Sequence, residues 1–135
     1  MSNSQTASKP PSDDPRELRI YRDRTSALVR RYFVVSMETG RLPSLLGRAC
    51  FRSRVTSYRM SNFEDSVIFV YDVERCLERL DDFSKSLIAT IVLQDYEYEE
   101  AARLLNCSLR TVERQFPMAL DALSAIFLER GLLNE

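Results

Sequence analysis

Apolar residues recur at every third or fourth position over most of the chain, which is the spacing of an amphipathic helix. The first such segment starts at DPRE, residues 14–17. An Asp cap, a Pro in the first helical position and a Glu three residues after the cap favour a helix start. We therefore predict a long helix from about Pro15 to Glu38, ended by Gly40 and Pro43. Its apolar stripe consists of Leu18, Tyr21, Thr25, Leu28, Tyr32 and Val35.

The helical spacing resumes at Glu64 and continues almost to the end of the chain. Shorter helices are predicted at about Glu97–Leu105, Leu109–Phe116 and Met118–Arg130, with Gly131 as a stop. Before them, one helix buries Val67, Val70, Val73, Leu77 and Leu80, and the next, capped by Asp81 and Asp82, buries Phe83, Leu87, Ile88, Ile91 and Val92. The pattern as a whole predicts an all-α fold: a helical bundle preceded by the long N-terminal helix.

Pro117 separates the last two predicted helices. It has no N–H to donate to the carbonyl of Glu113, and it disfavours helical backbone at Phe116. We therefore expect a kink or break there. The final helix carries Leu120, Leu123 and Phe127 on one face, which is explained by core packing or, alternatively, by a partner or dimer surface.

Two segments fall outside the helical pattern. Residues 1–14 are mostly polar and contain Lys9-Pro10-Pro11, so we predict a disordered tail. Residues 41–62 contain five Arg and no acidic residue, and we read them as a linker with a short helix near Ser44–Cys50. Alternation at Arg52–Tyr58 leaves a strand as the alternative. The predicted organisation is a tail at 1–14, a basic helix and linker at 15–62 and a helical domain at 63–135.

Composition excludes several classes of protein. The chain is 44% hydrophobic, but its longest apolar runs, 66–71 and 87–93, are far shorter than the roughly 20 residues that cross a bilayer. The N-terminus has no apolar segment of a secretory signal, so we expect a cytoplasmic protein without membrane contact. Because the chain has no His and only three separated Cys, it lacks the commonest general base and metal ligand. We expect no enzyme activity, no metal and no cofactor.

The small net charge hides a division of charge along the chain. Residues 1–62 carry twelve Lys/Arg against five Asp/Glu, a balance of +7, whereas residues 63–135 carry seven against fifteen, a balance of -8. Such asymmetry suggests that the two parts meet different partners, or each other. A solvated surface with intramolecular pairing is the alternative.

The short polar run Asn106-Cys107-Ser108 has the requirements of a helix-turn-helix unit. Ala102 is small enough for a close helix contact, and Asn106 tolerates the left-handed backbone of the turn. Ser108 is a good N-cap for the second helix. Val112 and Phe116 then face the first helix, while Leu104 and Leu105 are expected to close the far side. An ordinary helical corner is the alternative interpretation.

The residues around this turn resemble a known family. LDDFSKSLI from Leu80, YEEAARLLNCSLRTVER from Tyr98 and Ala119-Leu120 are similar to the C-terminal promoter-recognition domain, region 4, of bacterial sigma factors. The resemblance covers roughly residues 64–130. It implies that the helix 108–116 binds promoter DNA near the −35 element and that the domain acts with RNA polymerase. Residues 1–62 lack the aromatic, basic melting motif of region 2, so we expect a stand-alone region-4-like protein.

Docking like that of these relatives places the start of the second helix in the major groove. Arg110 and Arg114 can then each bond guanine, and Glu113 either accepts from cytosine or pairs with an Arg. Leu109 either contacts a thymine methyl or packs. The predicted DNA-contacting residues, which include phosphate ligands, are Arg103, Ser108, Leu109, Arg110, Thr111, Glu113 and Arg114.

The balance of -8 in residues 63–135 opposes DNA binding, because phosphates dominate affinity. Either the basic segment from Arg16 to Arg59 supplies phosphate contacts, or polymerase holds the domain on the promoter. The expected partners are therefore double-stranded DNA and RNA polymerase, with the oligomeric state left open. The alternative function is a helical protein-interaction module, a polymerase-binding protein or sigma mimic without direct DNA contact.

Overall fold

The computed structural model describes residues 15–40 and 63–134. The predictions of a tail at 1–14, a short helix at 44–50 and the alternative strand at 52–58 lie outside the described residues. Within the described ranges every regular element is helical, so the predicted all-α fold is confirmed there. No helix in these two ranges combines the length and apolar character of a membrane span.

Five helices follow one another in the two described ranges. α1 consists of an α-helical turn at Pro15–Leu18, a 3-10 turn at Arg19–Tyr21 and an α-helix at Arg22–Glu38; α2 is Phe63–Leu77; α3 is Asp82–Ile88, continued by a π-helical turn at Ala89–Leu93; α4 is Tyr98–Leu104; and α5 is Leu109–Glu129. The bounds of α1 agree with the predicted helix over 15–38, but neither the 3-10 turn nor the π-turn was predicted from the spacing of apolar residues.

α5 is the centre of the bundle and contacts each of the other four helices. Burying the apolar face of an amphipathic helix against its neighbours is the main source of its stability. The largest side chains of the core are fully enclosed, and they come from α1, α2, α3 and α5: Tyr32, Phe33, Val70, Val73, Leu77, Leu87, Ile88, Val112, Leu123 and Phe127. Burial of Leu123 and Phe127 assigns the apolar face of the last helix to the core.

α1 is docked on the C-terminal half of α5 by polar contacts as well as by its apolar stripe. Arg22 donates two hydrogen bonds of 2.7 Å, from Nε and Nη2, to the two carboxylate oxygens of Asp121. One turn further on, the hydroxyl groups of Thr25 and Ser124 form a buried hydrogen bond. The hydrogen bond to Asp121 raises the pKa of Arg22 above its ordinary value. The basic N-terminal helix is therefore part of the same folded body as residues 63–134.

The predicted break at Pro117 is wrong. α5 runs without interruption through Pro117 for 21 residues, about 30 Å at the rise of an α-helix. A Pro inside a helix removes one backbone hydrogen bond, here the one to the carbonyl of Glu113. Phe116 and Leu120 on either side of Pro117 are both buried, so packing on the two sides holds the helical backbone in place against the local preference of Pro.

Specific capping residues set the helix ends. The side chain of Asp81 accepts hydrogen bonds from the backbone N–H of Ser84 at 3.3 Å and from its hydroxyl at 2.6 Å, and the bond from that hydroxyl lowers the pKa of Asp81. At the other end of the chain, Gly131 has φ +79°, and the N–H of Leu132 donates to the carbonyl of Phe127 at 2.8 Å. The predicted start of α3 and stop after α5 are confirmed.

Candidate nucleic-acid interface

The turn between α4 and α5 is built around a left-handed residue. Asn106 has φ +58°; its N–H donates to the carbonyl of Arg103 at 3.3 Å, and the N–H of Cys107 donates to that of Ala102 at 2.9 Å. These two bonds are those of a Schellman motif, which satisfies the last carbonyls of a helix. The predicted role of Asn106 is confirmed, and the turn fixes the direction in which α5 begins.

Small and apolar side chains hold the two helices together. Ala101 and Ala102 of α4 are buried, as are Val112 and Phe116 of α5. The ring of Phe116 also meets Tyr98 edge to face, with ring centroids 5.8 Å apart. Through these buried side chains and this ring contact, the first two turns of α5 pack against α4.

One of the two leucines predicted to close the far side of the unit does not do so. The side chain of Leu104 is 59% exposed, whereas Leu105 is half-buried against the core. Leu104 lies in the last turn of α4, where the chain is about to reverse, and only the next residue turns inward. The expectation for Leu104 is wrong.

Ser108 starts α5 as predicted. Its hydroxyl oxygen accepts the backbone N–H of Thr111 at 3.1 Å and forms a 2.9 Å hydrogen bond with the Thr111 hydroxyl. Such a cap satisfies one of the donors that the first turn of a helix leaves open, and it contributes about 1 kcal/mol to stability. Ser108 and Thr111 therefore have a structural role in the cap. Their hydroxyl groups lie at the surface beside the first turn of α5.

Arg110 and Arg114 lie on the exposed side of the first two turns of α5. Both are exposed, and no described residue forms a salt bridge or side-chain hydrogen bond with either of them. They are four residues apart, about 6 Å along the axis, so both can enter one groove. Glu113 is exposed beside them and, in the described part of the chain, forms no ion pair. The expected pairing of Glu113 with an Arg is not observed.

The remaining predicted contacts lie on the same surface but are not all basic. Arg103 is exposed on α4. Leu109 is 36% exposed and borders a shallow depression together with Glu97, Tyr98, Glu99 and Glu113. The two glutamates at the start of α4 were not predicted as part of this surface. The signal for them is topological: the four residues between α4 and α5 reverse the chain, and the first turns of α5 then lie beside the start of α4.

Comparison with known proteins gives one match. A family model described as ECF sigma factor matches residues 48–125, which is more than half of the 135 residues. The matched range contains α2, α3, α4 and most of α5, and with them the turn at Asn106 and every predicted contact residue. It starts earlier than the resemblance at 64–130 and ends slightly before it. No curated protein and no solved structure matches the chain.

Proposed function

Because the chain belongs to the ECF sigma factor family, a family of transcription regulators that act with RNA polymerase, we propose that it recognises promoter DNA with the first turns of α5. In this proposal α4, the turn and α5 form a DNA-binding helix-turn-helix unit whose second helix enters the major groove. Arg110 and Arg114 bond guanine edges, while Ser108, Thr111 and Arg103 contact phosphate oxygens. Glu113 accepts from a cytosine amine, and Leu109 contacts a thymine methyl.

One observation carries this proposal: the two exposed arginines at the start of a rigidly supported helix. Proteins leave a charged side chain unpaired at low cost only where water or a partner solvates it. Arg110 and Arg114 stand on a helix whose direction is fixed by the Schellman turn and by the packing of α4 on α5. The helix backbone that carries the two arginines is pre-oriented, so only their side chains have to be ordered on binding, and the planar guanidinium group suits recognition of a base edge by two hydrogen bonds.

The experiment compares two double variants that remove the same charge. Wild-type protein first selects duplexes from a library of double-stranded DNA with a randomised centre, and binding to the enriched duplex is then measured. Arg110→Gln with Arg114→Gln is expected to lose affinity by at least about thirtyfold, since each two-hydrogen-bond contact contributes about 1–3 kcal/mol. The control is Arg75→Gln with Arg130→Gln, two exposed arginines away from the turn, and it is expected to bind within a few-fold of wild type. Equal affinity of the two double variants would contradict the proposal.

The acidic charge of residues 63–135 favours a second candidate function, polymerase binding without DNA contact. Residues 63–135 carry a balance of -8, and Glu97, Glu99 and Glu113 stand next to Leu109 on the surface that DNA would face. An acidic surface repels phosphates, so a helical module that binds polymerase without touching DNA fits this charge. Recovery of RNA polymerase by the immobilised chain, together with no enrichment of any duplex at low salt, would establish this second function in place of the first.

A further inference from the structure

One face of α5 carries two exposed arginines near its start and is covered by α1 further along. Arg110, Arg114, Pro117, Asp121 and Ser124 follow one another at steps of four and three residues, so they form a single stripe along α5. α1 covers the later part of this stripe through its contacts with Asp121 and Ser124. The earlier part, with Arg110 and Arg114, stays exposed. α1 therefore ends where the candidate DNA surface begins.

The contacts also give the direction in which α1 runs. The Arg22–Asp121 and Thr25–Ser124 pairs are each separated by 99 residues in sequence, so α1 and α5 advance together and are parallel over this contact. The first turn of α1 also packs on α5, and its Leu18 is buried beside a groove that Met118 and Asp121 help to line. The N-terminal end of α1 consequently points toward the start of α5.

Continuing the same register places Arg19 at the level of residue 118 of α5. That level is four residues beyond Arg114, about 6 Å along the axis. Neighbouring helices pack at axis distances of 8–10 Å, and the sugar–phosphate backbone borders a major groove about 12 Å wide. A duplex that takes Arg110 and Arg114 into its groove thus brings one backbone strand to the N-terminal end of α1.

The charge at this end of α1 suits a phosphate strand. The side chain of Arg19 is exposed, and no described residue pairs with it. In contrast, Arg22 is engaged with Asp121, Arg24 donates to the carbonyl of Asn134 at 2.9 Å, and Arg30 donates to that of Val92 at 3.2 Å. Among these arginines of α1, Arg19 is the one whose guanidinium group is left for a ligand.

We propose that Arg19, at the N-terminal end of α1, is a second DNA contact that binds the phosphate backbone bordering the groove read by Arg110 and Arg114. This inference rests on the proposed function and extends the DNA interface beyond the turn unit to the N-terminal helix. Residues 63–135 are acidic overall and bring little positive charge to this surface, so the packed helix α1 adds charge that favours DNA binding. Arg19 contributes affinity rather than sequence preference, because phosphates carry no sequence information.

The test measures affinity for the selected duplex over a series of salt concentrations. Arg19→Gln is expected to weaken binding several-fold and to reduce the slope of log affinity against log salt by about 0.9, the value for one lost phosphate contact. Arg19→Lys keeps the charge and is expected to retain most of the slope. The ranking of duplexes in a selection with Arg19→Gln is expected to match that of wild type. Because Arg19 is exposed, urea unfolding of Arg19→Gln is expected to match wild type.

Arg130→Gln is the matched control, since Arg130 is exposed at the far end of α5, sixteen residues or about 24 Å from Arg114. Equal effects of Arg19→Gln and Arg130→Gln on the salt slope would overturn the inference as a general charge effect. If Arg110→Gln with Arg114→Gln abolishes binding while Arg19→Gln leaves affinity and slope unchanged, this inference fails and the proposed function stands. Absence of any duplex binding by wild type would overturn both.

Discussion

The chain changes direction between α4 and α5 at Asn106, because this one residue has a left-handed backbone conformation. A φ of +58° is the left-handed region, where a side chain with a Cβ is usually disfavoured by about 1–2 kcal/mol per residue. Asn reduces this cost through local hydrogen bonding, and Gly avoids it altogether. Since Asn106 is exposed, its substitution changes the turn without removing buried contacts.

Substitution of Asn106 therefore tests the backbone of the turn alone. Asn106→Val is expected to lower the free energy of unfolding by about 1–2 kcal/mol, because a β-branched residue is the least tolerant of positive φ. Asn106→Gly is expected to change it by only a few tenths of a kcal/mol. Urea unfolding followed by circular dichroism measures both. A Val variant as stable as the Gly variant would mean that the residue does not need the left-handed conformation.

The helix α5 has two roles, which fall on different parts of one continuous helix. Its first two turns present Arg110 and Arg114, and its later turns bury Leu123 and Phe127 in the core. Continuity through Pro117 joins the two parts rigidly, so the exposed arginines are held by the whole bundle rather than by the turn alone. The missing hydrogen bond to the carbonyl of Glu113 is the cost of Pro at this position.

Replacing Pro117 by Ala is expected to stabilise the protein. Ala restores the N–H that bonds the carbonyl of Glu113, and Pro in a helix interior is less favourable than Ala by about 3 kcal/mol before any tertiary compensation. We expect a gain of about 1 kcal/mol or more in the free energy of unfolding, measured by urea titration, with unchanged helix content. A loss of stability would indicate that packing of the half-buried proline ring outweighs the missing bond.

The sequence predicts elements well where local signals agree. The bounds of α4 and the start of α5 follow from the apolar spacing, from Asn106 and from the cap at Ser108. The break at Pro117 was wrong because a local rule about Pro competes with burial of Phe116 and Leu120, and burial depends on the rest of the fold. The Arg22–Asp121 pair could not be predicted at all, since no local pattern links residues 99 positions apart.

In the molecule as a whole, α1 binds residues 63–134 through a polar pair as well as through apolar packing. The side chain of Asp121 is only 8% exposed and that of Arg22 is 28% exposed. Loss of one partner from a mostly buried pair leaves the other charge uncompensated, which costs far more than loss of one partner from an exposed ion pair. The pair Arg79–Glu129, at 3.2 Å with side chains 48% and 61% exposed, offers the comparison within the same bundle.

Removal of the acidic partner is expected to destabilise the protein more at the Arg22–Asp121 pair than at the Arg79–Glu129 pair. Asp121→Ala is expected to lower the free energy of unfolding by about 2 kcal/mol, because Arg22 loses a charged hydrogen-bond partner in a partly buried position. Glu129→Ala is expected to lower it by less than about 1 kcal/mol. Chemical denaturation of the two variants beside wild type gives both values. Similar small losses in both variants would contradict a tight docking of α1 through Asp121.

Site-specific photo-crosslinking shows whether the start of α5 enters the groove of duplex DNA. A benzophenone-bearing residue is placed at Leu109, in the first turn of α5, or at Glu129, in its last turn, and each protein is irradiated with the selected duplex. Position 109 is expected to crosslink to bases of the duplex, whereas position 129 gives no DNA adduct. Crosslinking from position 129, or none from position 109 while the duplex stays bound, would show that a surface other than the start of α5 contacts the DNA.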